Sequence, residues 1–319
     1  MNDVVLKDLF PLSQNLPEDV KHYVRASKAE NTKKVYRNSL KHFYQWGGEI
    51  PATPEMVAAY LSAHAPHYAM ATLETRLAAL SQAHKIGGFA NPVDNELVKI
   101  TFEGICREHG VAQKKPRAAV IEVILKIVEN LDQKIATGSL KAQRDKALVL
   151  LMFTAALRRS EVAALDVSDL ESVEQGLIVR IKQSKGDQKQ LGEYVPIPFA
   201  RQHLTACPIL AISQWRLQAG VENGPLFRSV NRHGKPAQRR IGESSINTII
   251  KQLIQAAGIP DAEKYSSHSL RAGLTTSSIL EGKSPLPLVS KHLRHKDVKT
   301  TMEYFEVTDL FANNVASLL

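Results

Sequence analysis

At 319 residues, 44% hydrophobic and 23% charged, the chain carries enough apolar material for packed cores, which excludes the disordered and fibrous classes, and its length suits two domains. A formal charge of +9, from 41 Lys and Arg against 32 Asp and Glu, favours a polyanionic partner, nucleic acid first, because each phosphate contact releases counterions. Cys106 and Cys207 are too far apart in sequence for a metal or redox pair and are expected as core thiols; with no membrane-length apolar run and no signal-peptide pattern in MNDVVLKDLF, a cytoplasmic chain is expected.

Over 31–46, NTKKVYRNSLKHFYQW sets Tyr36, Leu40 and Phe43 at helical spacing and Lys33, Lys34, Arg37 and Lys41 largely elsewhere, which predicts an amphipathic helix with a basic side. Gly47 and Gly48 end it, and Thr53 before Pro54 predicts the N-cap and first residue of the next helix. Further helices are predicted near 70–86, ending at Gly87 and Gly88, and near 94–109, ending at Gly110, so residues 1–111 form a helical bundle without a strand signal. The segment 112–118, AQKKPRA, carries Lys114, Lys115 and Arg117 and no large apolar side chain. It marks a domain boundary, a linker that either tracks a phosphate backbone or is simply solvated.

Residues 119–319 are predicted mainly helical, with helices near 119–133, 141–157, 199–219, 243–257, 267–281 and 285–293. LIVRIK (177–182) and YVPIP (194–198), around the polar QSKGDQKQLGE, predict one hairpin, and so one small antiparallel sheet in a mixed α/β domain.

Five segments of this second domain carry cationic or proton-bearing residues at element ends, where a scaffold presents binding groups. They hold Arg158, Lys185, His268 with Arg271 at i, i+3, His295, and Tyr304 nine residues after it. Cleaving a phosphodiester with a protein nucleophile requires charge neutralisation on the non-bridging oxygens, a base for the nucleophile and an acid for the leaving oxygen. Arg158 and Arg271 suit the first need, since a guanidinium gives forked hydrogen bonds to phosphate and keeps its charge. A tyrosine, ordinarily titrating near pH ~10, must lose its proton as it attacks or sit among cations. Tyr194 and Tyr265 are expected to pack, Arg159 to form a salt bridge and His292 to face outward. No carboxylate or cysteine completes His64 with His67, or His292 with His295, as a metal set, so neither metal nor other cofactor is expected.

R-x-S-E at 158–161, S-K-G at 184–186, H-x-L-R at 268–271, L-x-H at 293–295 and T-x-x-Y at 301–304, in this order, resemble the tyrosine recombinase (phage integrase) family, and NTKKVY resembles that family's core-binding domain. The resemblance implies a SAM-like, core-binding bundle followed by a catalytic domain, the two closing as a clamp on duplex DNA. It implies a site-specific recombinase or integrase that cuts and rejoins DNA through a 3′-phosphotyrosine on Tyr304, without metal or ATP. By the same resemblance His268 assists proton transfer, His295 donates to a phosphate oxygen and Lys185 is the acid for the 5′ oxygen; Lys182 and Lys189 lie close enough that loop geometry must choose. Glu161 either hydrogen-bonds within the site and fixes a neighbour or is a helix-start acid. Lys33, Lys34, Arg37, Lys41, Lys114, Lys115 and Arg117 are the candidate DNA-binding residues. A specific recombination site in double-stranded DNA, a homo-tetramer on that DNA and accessory DNA-bending proteins are the implied partners.

Ala156 and Arg294 stand where relatives often carry glycine, and Arg294 there adds a cation able to reach phosphate. A type IB topoisomerase shares this chemistry but works as a monomer; the tail favours the recombinase. Thr300 with Glu303 predicts a helix start just before the nucleophile, and Val307, Leu310, Phe311, Val315 and Leu318 form an apolar stripe that must dock on its own domain or on a neighbouring protomer. Family resemblance points to the neighbour.

Overall fold

The computed structural model describes residues 29–110, 116–182, 192–280 and 284–295, with isolated positions between 17 and 27. The chain divides into two compact units, Met1–Lys114 and Lys115–Leu319, so the break falls within the basic segment 112–118.

In the first unit, α1 (Glu30–Trp46) buries Leu40 and Phe43 completely, each contributing about 1.5–3 kcal/mol of apolar burial. Lys34, Arg37 and Lys41 are exposed, sharing one flank at i, i+3 and i+7, whereas Lys33 turns to Glu30 at 2.5 Å. Gly47, at φ 106°, stops the helix in the left-handed conformation that a side chain disfavours. Helix α2 (Pro54–His64) starts as its sequence predicts, with Thr53 Oγ1 accepting from the Met56 amide at 3.2 Å. Helix α3 (Met70–Gly87) packs on α1, and α4 (Glu96–His109) packs on α2. The last helix starts later than the predicted 94, because residues 92–94 form a 3-10 turn and Asn95 caps the helix by accepting from the Leu97 amide. His64 is partly buried against the core: its ring lies 4.6 Å from that of Tyr60 and its Nδ1 meets the Tyr60 carbonyl at 2.8 Å. Cys106 is only partly buried, against expectation, while Cys207 in the second unit is a core thiol.

The second unit is built around α6 (Leu140–Thr154), which is buried on every side from Ala142 to Phe153. Such a helix serves as the axis of a core rather than one of its walls. Helices α5 (Ile121–Ala136), α8 (Pro208–Ala219) and α10 (Ser267–Leu280) pack against it. The short α7 (Arg159–Ala164) leads into β1 (Leu170–Val173), β2 (Gly176–Ile181) and β3 (Glu193–Pro198), an antiparallel sheet with β2 central. Val179 pairs with both Leu170 and Val195, and the inward residues Leu177, Val179, Ile181, Val195 and Ile197 join the core.

Three strands were not predicted: β1, and the hairpin of β4 (Arg228–Val230) and β5 (Pro236–Arg240), whose polar segments lack the apolar alternation that marks a strand. The helix predicted from 199 starts only at Pro208, at its first position. Helices α9 (Glu243–Ala256) and α11 (Leu286–Leu293) complete the described unit. Gly273 on α10 has a packing reason: a Cβ there would lie 1.8 Å from the carbonyl oxygen of Ala119. The chain entering the unit thereby presses onto α10, and the Ala119 amide donates to the Ser269 carbonyl at 2.8 Å. Among the described residues, no helix is long and apolar enough to cross a membrane.

Candidate active site

Helix α6 ends at Thr154, and the chain turns through Ala156 at φ 48° before Arg158, the residue that precedes α7. An alanine held in the left-handed region needs outside support. Glu161, in the first turn of α7 and 3% exposed, supplies part of it. Its Oε2 accepts from the Arg158 amide at 2.9 Å and its Oε1 from Arg158 Nη1 at 2.6 Å. The two readings of Glu161 are therefore both realised, since one carboxylate caps the helix start and orients the arginine.

Helix α10 presents His268 and Arg271 one turn apart. His268 is exposed, and Arg271 is only 1% exposed. The Arg271 guanidinium reaches inward from α10, its Nη1 donating to the Ala156 carbonyl at 2.6 Å and its Nη2 to the Leu293 carbonyl. One buried side chain thus ties the turn before Arg158 to the end of α11. Ala156, Val289 and Leu293, with Leu274 against them, form a small apolar cluster beside this clip.

The end of α11 carries His295. Arg294 follows the helix at φ 58°, and the His295 amide donates back to the Ser290 carbonyl at 3.1 Å. His295 is partly buried, and its imidazole is pushed down to about 4, first by desolvation and then by the charges of Arg271, Arg158 and Arg294. That electrostatic signature brings three of the candidate residues to one place.

An imidazole at about 4 in the folded chain and 6.5 when unperturbed takes up protons on unfolding between those values, so its contribution to stability is complete above pH ~6.5 and declines as pH falls towards ~4. His295→Gln should accordingly flatten the loss of stability on acidification; denaturant unfolding at about pH 5 and pH 7.5 checks it, and an equal pH dependence in the two proteins contradicts it.

Three expectations are corrected. Arg294 does not project to solvent, and its side chain is 6% exposed and bonded inward. His292 does not face out; its Nε2 meets the Thr154 carbonyl at 2.8 Å, because the helix end that carries it abuts the end of α6. Tyr265 packs as expected at 3% exposure, but Tyr194 alternates to the outer face of β3 and is 61% exposed. Arg159 does lie near an acid, Glu243, at 3.9 Å. Lys182, the residue after β2, is held between Asp169 at 2.9 Å and Asp166 at 3.2 Å, with Arg240 on the far side of Asp166 at 2.9 Å. The acids of this network went unnoticed in the sequence, although D-x-x-D at 166–169 ahead of a basic hairpin was the available signal. Lys114, Lys115, Lys185, Lys189, Tyr304 and the tail lie outside the described residues. Arg117 is half-exposed, 3.4 Å from Asp261. Among the described residues no three His, Cys, Asp or Glu side chains form a group able to hold a metal ion.

The profile of the Phage integrase family matches residues 117–310. An integrase/recombinase described as a XerD homolog, from Selenomonas ruminantium, is 30% identical over 325 aligned residues, covering 97% of this chain and 93% of its own. A tyrosine recombinase of Synechocystis sp. is 26% identical, covering 96% and 97%. Two solved structures share the fold. One is the XerH site-specific recombinase on palindromic difH substrate, a post-cleavage complex, with TM-score 0.63 and 20% identity over 90% of this chain and 79% of that one. The other is a lambda integrase tetramer bound to a Holliday junction, with TM-score 0.59 and 15% identity over 90% and 76%.

Proposed function

The chain belongs to the phage integrase family and is a tyrosine site-specific DNA recombinase, and from that premise we propose a division of labour among its residues. Arg158 and Arg271 neutralise the scissile phosphate, His295 donates to one of its oxygens, and His268 assists proton transfer. The Tyr304 hydroxyl attacks phosphorus as its proton passes to His268, the bond from phosphorus to the 5′ oxygen breaks, and the leaving oxygen takes a proton from Lys185. The products of this step are a 3′-phosphotyrosine and a free 5′-hydroxyl. Attack by a 5′-hydroxyl of the partner strand reverses the chemistry, returns the proton to Lys185 and frees the tyrosine. Bond count is conserved throughout, so rejoining needs no ATP.

The observation that carries this reading is the convergence on the Ala156 turn, where Glu161 holds Arg158 and Arg271 clips the turn to the His295 segment. The choice of Lys185 over Lys182 is supported by the two aspartates that hold the Lys182 ammonium. Lys33, Lys34, Arg37, Lys41, Lys114, Lys115 and Arg117 contribute phosphate contacts from the bundle and the linker. Four protomers act on two sites, aided by DNA-bending proteins where the sites need them. The tail beyond Thr308 docks on a neighbouring protomer. An apolar groove of about 760 Å³, with Phe153, Phe199, Leu274, Leu288 and Val289 among its lining residues, supports that docking.

The test is covalent trapping on a nicked suicide DNA duplex in excess EDTA. Because fixed guanidinium and imidazole groups carry the charge stabilisation, the SDS-stable adduct is expected at the full yield seen without chelator. Loss of the adduct under EDTA, restored by a divalent ion, refutes the scheme.

A further inference from the structure

Arg294 occupies a backbone conformation that favours glycine, and its side chain nevertheless turns into the protein. At φ 58° and ψ 41° it is a left-handed residue closing α11. Its Nη1 donates to the Ala155 carbonyl at 2.9 Å, and its Nη2 lies between the Ala156 carbonyl at 3.2 Å and Glu161 Oε2 at 2.8 Å. Its Nε faces Glu193 Oε2 at 3.4 Å without forming a hydrogen bond. Glu161 Oε2 is the oxygen that also accepts from the Arg158 amide. The carboxylate is 1% exposed, so its geometry is set by Arg158 on one side and Arg294 on the other.

We propose that Arg294 is a positioning residue for DNA cleavage, fixing Arg158 through the shared Glu161 carboxylate and joining the His295 segment to the Ala155–Ala156 turn. The inference rests on the reading of Arg158 as a phosphate clamp. In this reading Arg294 acts through Glu161 rather than on phosphate, since its Nη1 and Nη2 donate to the Ala155 and Ala156 carbonyls and to the carboxylate, and its Nε faces Glu193. Without it, Glu161 would keep a single cationic partner and Arg158 could swing with the carboxylate. A displacement of about 1 Å in a phosphate clamp is enough to slow a reaction about 100-fold while leaving binding unchanged. Glu193 begins β3, so the same side chain also stands against the strand that follows the Lys185 segment.

The experiment compares single-turnover cleavage of a suicide duplex by wild type, Arg294→Gly, Arg294→Lys, Glu161→Gln and the Arg294→Gly/Glu161→Gln double variant. Glycine suits the backbone at 294, so Arg294→Gly should fold and bind DNA with Kd and salt dependence within about twofold of wild type, yet cleave about 10- to 100-fold more slowly. Arg294→Lys, able to reach the carboxylate but not all the carbonyls, should recover part of that loss. In the Glu161→Gln background, Arg294→Gly should add less than about a twofold further loss, since the route to Arg158 is already altered. Wild-type cleavage by Arg294→Gly overturns the proposal. So does a full, additive loss in the Glu161→Gln background, or a weakened Kd with a reduced salt slope, which marks a direct phosphate contact. So too does a large drop in Tm that Arg294→Lys fails to rescue. Failure of wild type itself to form any adduct is a different result and rejects the reading of the site.

Discussion

Tyr304→Phe is expected to bind its recombination site like wild type and to form no covalent adduct. The substitution removes one oxygen and keeps the ring, so phosphate contacts made by other residues are retained. In the proposed reaction the lost oxygen is the atom that becomes bonded to phosphorus. Removing a covalent nucleophile lowers a rate by factors on the order of 10^4 or more, which takes the adduct below detection on a gel. Band-shift titration and SDS-stable trapping on the same suicide duplex separate the two effects. If the adduct persists, the nucleophile is another tyrosine. Tyr194, exposed on β3, is then the first to replace, ahead of the buried Tyr265.

The second large effect is expected at Arg271. Arg271→Lys keeps a positive charge, which tests whether charge alone suffices. The fork matters because Nη1 and Nη2 serve two different carbonyls, those of Ala156 and Leu293. A lysine ammonium on its flexible stem serves at most one of them in place; the Ala156 carbonyl also accepts from Arg294 Nη2, so the acceptor at risk is that of Leu293, at a cost of about 1–3 kcal/mol when left unpaired. The turn before Arg158 and the segment holding His295 then lose one of their ties, the other running through Arg294. Cleavage should fall about 100- to 1,000-fold, the scale of losing one well-placed oxyanion donor, together with a lower Tm. Arg158→Lys provides the contrast. The Arg158 side chain is 22% exposed and bonds only a neighbouring carboxylate among its described hydrogen bonds, so cleavage should drop by a similar factor with a smaller change in Tm. Equal loss of Tm in the two variants contradicts the assignment of the clip to Arg271.

What could be read from the sequence follows from where the information resides. Helix positions were legible because Leu40 and Phe43 repeat at helical spacing and because Thr53, Pro54 and Gly47 punctuate the chain by rules that act within a few residues. Strands β4 and β5 escaped because PAQRR carries no large apolar side chain and no alternation; that ribbon is held by cross-strand partners such as Arg228 with Gln238, at 2.9 Å. Arg158, Glu161, His268, Arg271 and His295 could be nominated from residue type and spacing, but the directions of their side chains could not be read. Arg294 illustrates why: its place after α11 is a local matter, whereas its inward course depends on Glu161, 133 residues earlier in the chain. His292 was misjudged for the same reason, its partner being the Thr154 carbonyl 138 residues away. Sequence spacing assigns a face of a helix but does not say what lies opposite that face.

The contact between Gly273 and Ala119 sets a rule for dissecting and recombining such chains. The end of the linker, from Arg117 to Ala119, is stitched to the second unit by the Arg117 amide on the Lys264 carbonyl and the Ala119 amide on the Ser269 carbonyl, with Gly273 admitting the backbone of Ala119. It is thus part of the body that carries His268 and Arg271, although it reads as a continuation of the basic linker. A chimera that takes its first unit from a relative must be joined upstream of Arg117. A graft carried through Ala119 would import a foreign strap across the arginine helix, and any change in catalysis would be charged wrongly to the exchanged bundle.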